Sequence, residues 1–175
     1  MKTKNYNTKI ISFSEIENLC LGLKQEKKTI VTTNGCFDIL HLGHIDYLQK
    51  ASELGEVLIV GINSQDSVKR LKGNDRPLNS ETGRISVVAA LGFVDYCVLF
   101  KEDTPVELLK KIKPDIHVKG GDYSPDDLIE KKVIEENGGI IKILPLVNGY
   151  STTGVIEKLI KTSPPGPLSQ KERGS

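Results

Sequence analysis

Residues 33–44 run Thr33-Asn34-Gly35-Cys36-Phe37-Asp38-Ile39-Leu40-His41-Leu42-Gly43-His44, and they join two different periodicities. Thr29 to Thr33 is a short β-branched run that predicts a buried strand. Ile45, Leu48, Ala51 and Leu54 then recur at helical spacing until Gly55 stops them. A strand that turns directly into a helix leaves free peptide N–H groups and the positive end of a helix dipole at its carboxyl end, which favours bound phosphate. Gly35 and Gly43 let the main chain approach a ligand closely. His41 and His44, three apart, share one face of the helix start and can aim at the same pocket. Two imidazole donors aimed at a triphosphate would stabilise the charge that develops as the α-phosphorus becomes five-coordinate. The residues alone also leave open a metal site shared with Asp38, or an ordinary helix terminus.

The same alternation continues on both sides. Ser14 to Lys27 predicts a helix, with Ser14 and Glu17 at capping-box spacing and Ile16, Leu19, Cys20 and Leu23 on one face. Glu56 to Ile62 is an uninterrupted apolar strand of the kind covered on both faces. Residues 63–79 predict a short helix and then a loop, followed by a helix over Thr82 to Leu91 and a strand over Val94 to Phe100. Thr104 and Pro105 open a helix that ends before Pro114, with the threonine as capping hydroxyl. Ile116 to Lys119 is a further strand, and Ser124, Pro125 and Asp127 open a helix closed by Gly138 and Gly139. Ile140 to Leu144 is the fifth strand. Ser151 caps a last helix with Val155, Ile156 and Leu159 inside. The sum is an α/β, Rossmann-like five-stranded parallel sheet with helices on both faces and an extra N-terminal helix. Ligands of such open sheets collect at the strands' carboxyl ends. The expected organisation is an N-terminal extension over 1–28, one domain over 29–162 and a tail over 163–175. The tail's proline-rich, polar sequence predicts disorder.

Composition narrows the classes of function. The 175 residues are 38% hydrophobic and 27% charged, enough for one buried core. A formal charge of +1 argues against nucleic acid or an anionic membrane as main partner. No apolar run approaches the ~20 residues that span a bilayer. The polar, basic start is followed by no apolar segment, so a secretory signal is not expected. Cys20, Cys36 and Cys97 are odd in number and scattered, which suits a reducing cytoplasm better than disulfides or zinc.

Three more places fall at strand carboxyl ends. Asn63 and Ser64 precede Lys69, Arg70, Lys72 and Arg76, four cations within eight positions beside Gly73; a solvated basic face is the plainer alternative. Lys119-Gly120-Gly121-Asp122-Tyr123 allows a main-chain concavity for a base or phosphate, or simply a turn. Gly149-Tyr150-Ser151-Thr152-Thr153 places hydroxyls and free N–H groups where β- and γ-phosphates could sit, and can serve as an N-cap as well.

Residues 33–44 resemble the (T/N)xGxFDxxHxGH signature of the cytidylyltransferase-like nucleotidyltransferases. The likeness extends from about Thr29 to Ile160. NGCFDILHLGH, INSQDSVKRLKGNDRP, EDTP, VKGGDY and NGYSTT, in that order, are most similar to the heptose 1-phosphate adenylyltransferases, which occur alone or fused to a sugar kinase. The resemblance implies catalytic His41, His44 and Lys72. It implies nucleotide contacts from Asn34, Gly35, Cys36, Phe37, Gly43, Gly120, Asp122, Gly149, Ser151, Thr152 and Thr153. Asp38, Asn63, Lys69, Arg76, Arg84 and Lys119 are the expected substrate- or phosphate-binding residues, with Asp38 orienting the substrate or a lysine. No metal ligand is assigned to the chain, since Mg²⁺ is expected on substrate phosphates and water. His117 reads as structural and Cys36 as packing. Two departures stand out. Thr82 replaces the family's usual glutamate, and Leu146 stands where glycerol 3-phosphate relatives carry an arginine.

The implied reaction moves AMP from ATP to a sugar 1-phosphate, D-glycero-D-manno-heptose 1-phosphate by the resemblance, with release of pyrophosphate. A phosphate monoester is already mostly dianionic at neutral pH, with a second pKa of about 6, so no general base is required. The alternatives are cytidylyl transfer to glycerol 3-phosphate or another polyol phosphate, a nucleotide-binding regulatory module without turnover, and a metal-binding protein using His41, His44 and Asp38. The resemblance further suggests a homodimer.

Overall fold

Seven consecutive buried residues, Val57–Asn63, form the central strand β3 and show why the chain builds a three-layer structure. Val57 and Ile59 pack into one cluster while Leu58, Val60 and Ile62 pack into another. A strand whose two faces are both apolar needs helices on each side. The computed structural model describes residues 5–121, 124–145, 147 and 149–162, the side chain of Ile160 excepted.

The other strands are β1 (Ile10–Ile11), β2 (Ile30–Gly35), β4 (Tyr96–Phe100), β5 (Ile116–Gly120) and β6 (Ile140–Leu144). All pair in parallel in the order β1-β4-β3-β2-β5-β6. The helices are α1 (Ile16–Gln25), α2 (Leu42–Ser52), α3 (Gln65–Lys72), α4 (Glu81–Ala89), α5 (Val106–Ile112), α6 (Lys131–Glu136) and α7 (Thr152–Thr162). On one face α2 and α4 contribute Leu48, Ala51, Ile85 and Val88 to the core. On the other, α1 and α5 contribute Ile16, Cys20, Leu108 and Ile112. The chain proceeds outward on one side of β2 through β3 and β4, then crosses to the other side for β5 and β6. The reversal leaves a crevice beyond the carboxyl ends of β2 and β5, where ligands bind in open sheets.

The Rossmann-like parallel sheet with helices on both faces is therefore observed, with six strands rather than five. The extra one is β1, in the segment expected to add only a helix. Two residues suffice for it because they pair with Cys97 and Val98 of β4. Helix starts also differ in detail. Ser14 does not cap α1; its hydroxyl lies 3.0 Å from that of Ser12, and Glu15 occupies the cap position. Pro105 rather than Thr104 is the N-cap of α5, without a side-chain hydrogen bond. The helix expected to run from Ser124 to Gly138 is broken into a 3₁₀ turn, Pro125–Asp127, and α6. Ser151 does accept the Gly154 N–H at 3.0 Å at the start of α7. Along α7, Val155 and Ile156 are half-buried, whereas Leu159, expected inside, is 60% exposed. The proline-rich 163–175 stretch lies outside the described residues.

Candidate active site

A cavity of about 520 Å³ occupies the crevice over the carboxyl ends of β2 and β5. Its lining includes Asn34 and Gly35 from β2, Lys119 and Gly120 from β5, His44 and Tyr47 from α2, Lys72 from α3 and Thr152 from α7. Five sequence-distant segments thus meet there because each follows, or forms, a strand's carboxyl end.

The loop 36–41 turns β2 into α2. Phe37 takes a left-handed backbone, φ 43°, which a bulky residue adopts only when its surroundings hold it there. Its ring lies under Gly35, where a Cβ would come within 3.0 Å of it, and 5.4 Å from the His44 ring. His41 is the N-cap residue of α2 and makes no side-chain cap hydrogen bond. The His41 and His44 rings stack, 3.8 Å between centroids and 20° from parallel. Each Nδ1 is buried and without a hydrogen-bond partner among the described residues. Burial lowers the pKa of both; His44, also beside His41 and Lys72, falls to about 4. Gly43 is packed against this pair, since a Cβ there would sit 3.1 Å from His41 Nδ1 and 3.3 Å from Tyr150 Cβ. Its lack of a side chain thus leaves room for the imidazole stack.

Asp38 lines the cavity and is also held by the chain itself. Its carboxylate accepts the backbone N–H groups of Leu78 and Asn79, each at 2.9 Å, and pairs with Arg76 Nη2 at 2.9 Å. The Asn79 side chain donates to the Asp38 carbonyl at 2.6 Å. Burial works to raise the Asp38 pKa, but these hydrogen bonds and the Arg76 and Arg84 charges outweigh it and hold the carboxyl low. Asp38 therefore ties the motif loop to residues 76–79 at the edge of the cavity. Arg76 shares that latch.

Arg84 is likewise turned inward. Only 1% exposed, it donates to the carbonyls of Cys36 (2.5 Å) and Asn63 (2.7 Å), clasping the ends of β2 and β3. Asn63 is also internal, donating to Ser67 Oγ at 3.0 Å. Of the basic run, Lys72 lines the cavity, Lys69 is exposed outside it, and Arg70 pairs with Asp103 at 2.7 Å. Gly149, Ser151 and Thr153 flank Thr152 at the head of α7, and Thr152 reaches the cavity lining. Asp122 and Leu146 lie outside the described residues.

Cys36 lines the cavity and is half-buried. Burial raises its pKa, with Lys72 and Arg84 acting against that. Burial raises Cys20 to about 11 and Cys97 to about 12. His117 is fully buried, its Nδ1 2.9 Å from Thr32 Oγ1, in keeping with a structural role.

The cavity lining not foreseen comprises Tyr47 and residues 127–130. Tyr47 bridges Thr33 Oγ1 (2.6 Å) and the Val118 carbonyl (2.9 Å), joining β2 to β5 beneath the site. Its signal was its place one turn after His44. Glu130 is 3% exposed and holds Lys119 Nζ at 2.5 Å. No spacing rule links residues 119 and 130 across a broken helix.

Residues 32–158 match the sequence model of the family described as Cytidylyltransferase-like. A bifunctional protein HldE of Nitratiruptor sp. is 53% identical over 150 residues, covering 86% of this chain and 32% of that protein. The bifunctional protein HldE of Syntrophotalea carbinolica is 47% identical over 155 residues, covering 89% of this chain and 32% of its own length. The chain thus spans about a third of the curated relatives it matches. Among solved structures, a lipopolysaccharide core biosynthesis protein from Thermoplasma volcanium superposes with a TM-score of 0.57 at 33% identity, covering 69% of this chain and 97% of that one. A pantoate-beta-alanine ligase from Francisella tularensis, at 15% identity and a TM-score of 0.54 over 92% of this chain and 82% of its own, shares the fold.

Proposed function

The chain belongs to the cytidylyltransferase-like family of nucleotidyltransferase enzymes, and we propose that it transfers AMP from ATP to D-glycero-D-manno-heptose 1-phosphate, releasing pyrophosphate. The observation that carries the chemistry is the stacked His41–His44 pair, of which His44 lines the cavity together with Lys72. The heptose substrate is supported by the order of the sequence motifs and by relatives 47% and 53% identical that are named HldE. The similarity to a lipopolysaccharide core biosynthesis protein points the same way. On this reading the chain carries one activity of the bifunctional relatives, about a third of whose length it matches. A cytoplasmic site of action and a homodimer belong to the same proposal. Among the described residues no helix is long and apolar enough to cross a membrane.

In the proposed reaction a phosphate oxygen of the sugar 1-phosphate attacks the α-phosphorus in line, and the bond to the bridging oxygen of pyrophosphate breaks. The attacking group is already anionic, so the protein supplies position and charge stabilisation. His41 and His44 donate to the α-phosphate oxygens as their charge grows, and Lys72 draws the triphosphate into line. At the start of α2, free of any side-chain cap, the Leu42 and Gly43 N–H groups are available to the same anion, those of His44 and Ile45 being bonded to the His41 carbonyl. Mg²⁺ enters as part of the substrate, on phosphate oxygens. Asp38, already engaged by Leu78, Asn79 and Arg76, is not counted as its ligand.

Pyrophosphate release, measured with each NTP against a panel of sugar and polyol phosphates, tests the proposal. ATP with a heptose 1-phosphate is the expected productive pair. Turnover with CTP alone would overturn it.

A further inference from the structure

The cavity has a second wall that this mechanism leaves unused. Strands β3 and β5 flank β2 on opposite sides. Lys72 reaches the cavity from α3, which follows β3, whereas Asp127 and Glu130 reach it from the segment after β5. The carboxylates of Asp127 and Glu130 thus line the β5 side, with Lys119 among them, and Lys72 lines the opposite side. The break between the 3₁₀ turn and α6 is what brings Glu130 into the lining.

Glu130 is almost wholly buried, and Lys119 sits between it and β2. The Lys119 ammonium contacts Glu130 Oε1 at 2.5 Å and donates to Asn34 Oδ1 at 3.2 Å. Among the described residues Glu130 Oε2 takes no hydrogen bond. Glu130 lines the cavity, and a carboxylate oxygen that no protein group engages is open there to a donor from the ligand, a charge-assisted hydrogen bond stronger than a neutral one. The donor is not an ionised phosphate, whose oxygens only accept and whose charge a carboxylate repels. A phosphorylated ligand is thus oriented, its phosphates toward His44 and Lys72 and its uncharged, donor-bearing part toward Glu130.

We propose that Glu130 reads a hydroxyl group of the bound substrate, accepting its O–H through Oε2 while Lys119 fixes the carboxylate from the other side. The inference rests on the nucleotidyltransferase reading and adds a specificity residue to it. The hydroxyl belongs either to the ribose of the nucleotide or to the acceptor sugar, and the two sources separate by experiment.

Wild-type protein and the Glu130→Gln and Glu130→Ala variants are compared by pyrophosphate release with ATP, 2′-deoxy-ATP and 3′-deoxy-ATP, and with sugar 1-phosphates lacking single hydroxyls. One deoxy substrate is expected to raise the wild-type KM about tenfold, the loss of ~1.4 kcal/mol, with kcat changed by less than about threefold. Glu130→Ala should raise KM for the parent compound equally and erase the difference between parent and analogue. A deoxynucleotide effect assigns the ribose, and a deoxysugar effect assigns the acceptor. If the wild type accepts every analogue as well as its parent, the proposal fails without reference to any variant. It fails too if the analogue penalty survives undiminished in Glu130→Ala, which would leave the residue only a structural hold on Lys119. Calorimetric binding of ADP, 2′-deoxy-ADP, 3′-deoxy-ADP and the sugar phosphates gives the same comparison without turnover. An absence of pyrophosphate release with every acceptor therefore sinks the proposed reaction while the role of Glu130 is still decided.

Discussion

His41 and His44 lie ring against ring, 3.8 Å between centroids, with neither Nδ1 hydrogen-bonded among the described residues. Two imidazolium ions at that separation would repel, and burial already disfavours the charged forms. Both rings are neutral at pH 7 without ligand, each keeping one N–H to donate. A triphosphate would reverse the balance by supplying negative charge. His41→Ala and His44→Ala are each expected to cut turnover by about 10²-fold or more, as loss of a transition-state donor does. Thermal unfolding should change little. Near-normal turnover in both variants would remove the pair from the mechanism.

Gly43→Ala tests the packing behind that pair. The added methyl would press on the His41 ring at 3.1 Å and on Tyr150 Cβ at 3.3 Å. The ring gives way more easily than the helix, so the imidazole tilts. A displacement of this kind costs on the order of 10²-fold in rate, while the melting temperature should move by only about 5 °C. Unchanged kcat with a large loss of stability would show that the helix moves instead.

How much of this was readable in the sequence depends on distance along the chain. The sheet was legible because β3 is continuously apolar, and His41 and His44 were legible because i, i+3 residues on a helix must share a face. The inward turn of Arg84 and the protein partners of Asp38 were missed for a common reason. A charged residue next to a phosphate-binding motif looks like a ligand contact, yet Arg84 turns to the Cys36 and Asn63 carbonyls, and Asp38 to residues 40 positions later. The buried Glu130 depended on a helix break at Leu128, where local capping signals favoured one continuous helix. Strand β1 was missed because two residues carry no periodicity, and its partner lies in β4.

Lys72 and Lys69 are one helical turn apart and differ sharply in place. Lys72 lines the cavity and acts electrostatically on His44, whereas Lys69 is exposed outside that lining. Lys72→Met should lower kcat/KM by about 10²-fold, the loss expected when a charge on the transferring group is removed. Lys69→Met should stay within about threefold, as an exposed charge does. Steady-state kinetics on the two variants gives the ranking, and equal losses would mean that the whole basic face, not one ammonium, holds the triphosphate.

The Asp38–Arg76 latch predicts a stability effect. Asp38→Ala leaves the Leu78 and Asn79 N–H groups and the Arg76 guanidinium without their acceptor. Breaking one side of a buried pair typically costs about 3–5 kcal/mol. Arg76→Met should cost less, since the two backbone N–H groups still satisfy the carboxylate. Urea denaturation orders the variants, and a smaller effect for Asp38→Ala than for Arg76→Met would contradict the latch.

Acid sensitivity should appear well above the carboxylate range because of a histidine outside the reaction. Burial holds His117 to about 3, with the Lys119 charge acting in the same direction, and His44 to about 4. Both lie below the value of about 6.5 for an exposed histidine. Between pH 6.5 and 4 the unfolded chain therefore binds more protons than the folded one. The stabilisation is complete above pH 6.5 and is lost as pH falls toward the folded pKa values. Each unit of pH is worth about 1.4 kcal/mol per fully buried group, and the more exposed His44 contributes less. Lowering the pH of ligand-free protein from 7 to 5 should cost about 2 kcal/mol through His117. In His117→Gln, which can keep a hydrogen bond to Thr32, the pH slope of the urea-derived stability should flatten by about one proton. A slope identical to that of the wild type would mean that His117 is protonated inside the folded sheet, contrary to its burial beside Thr32.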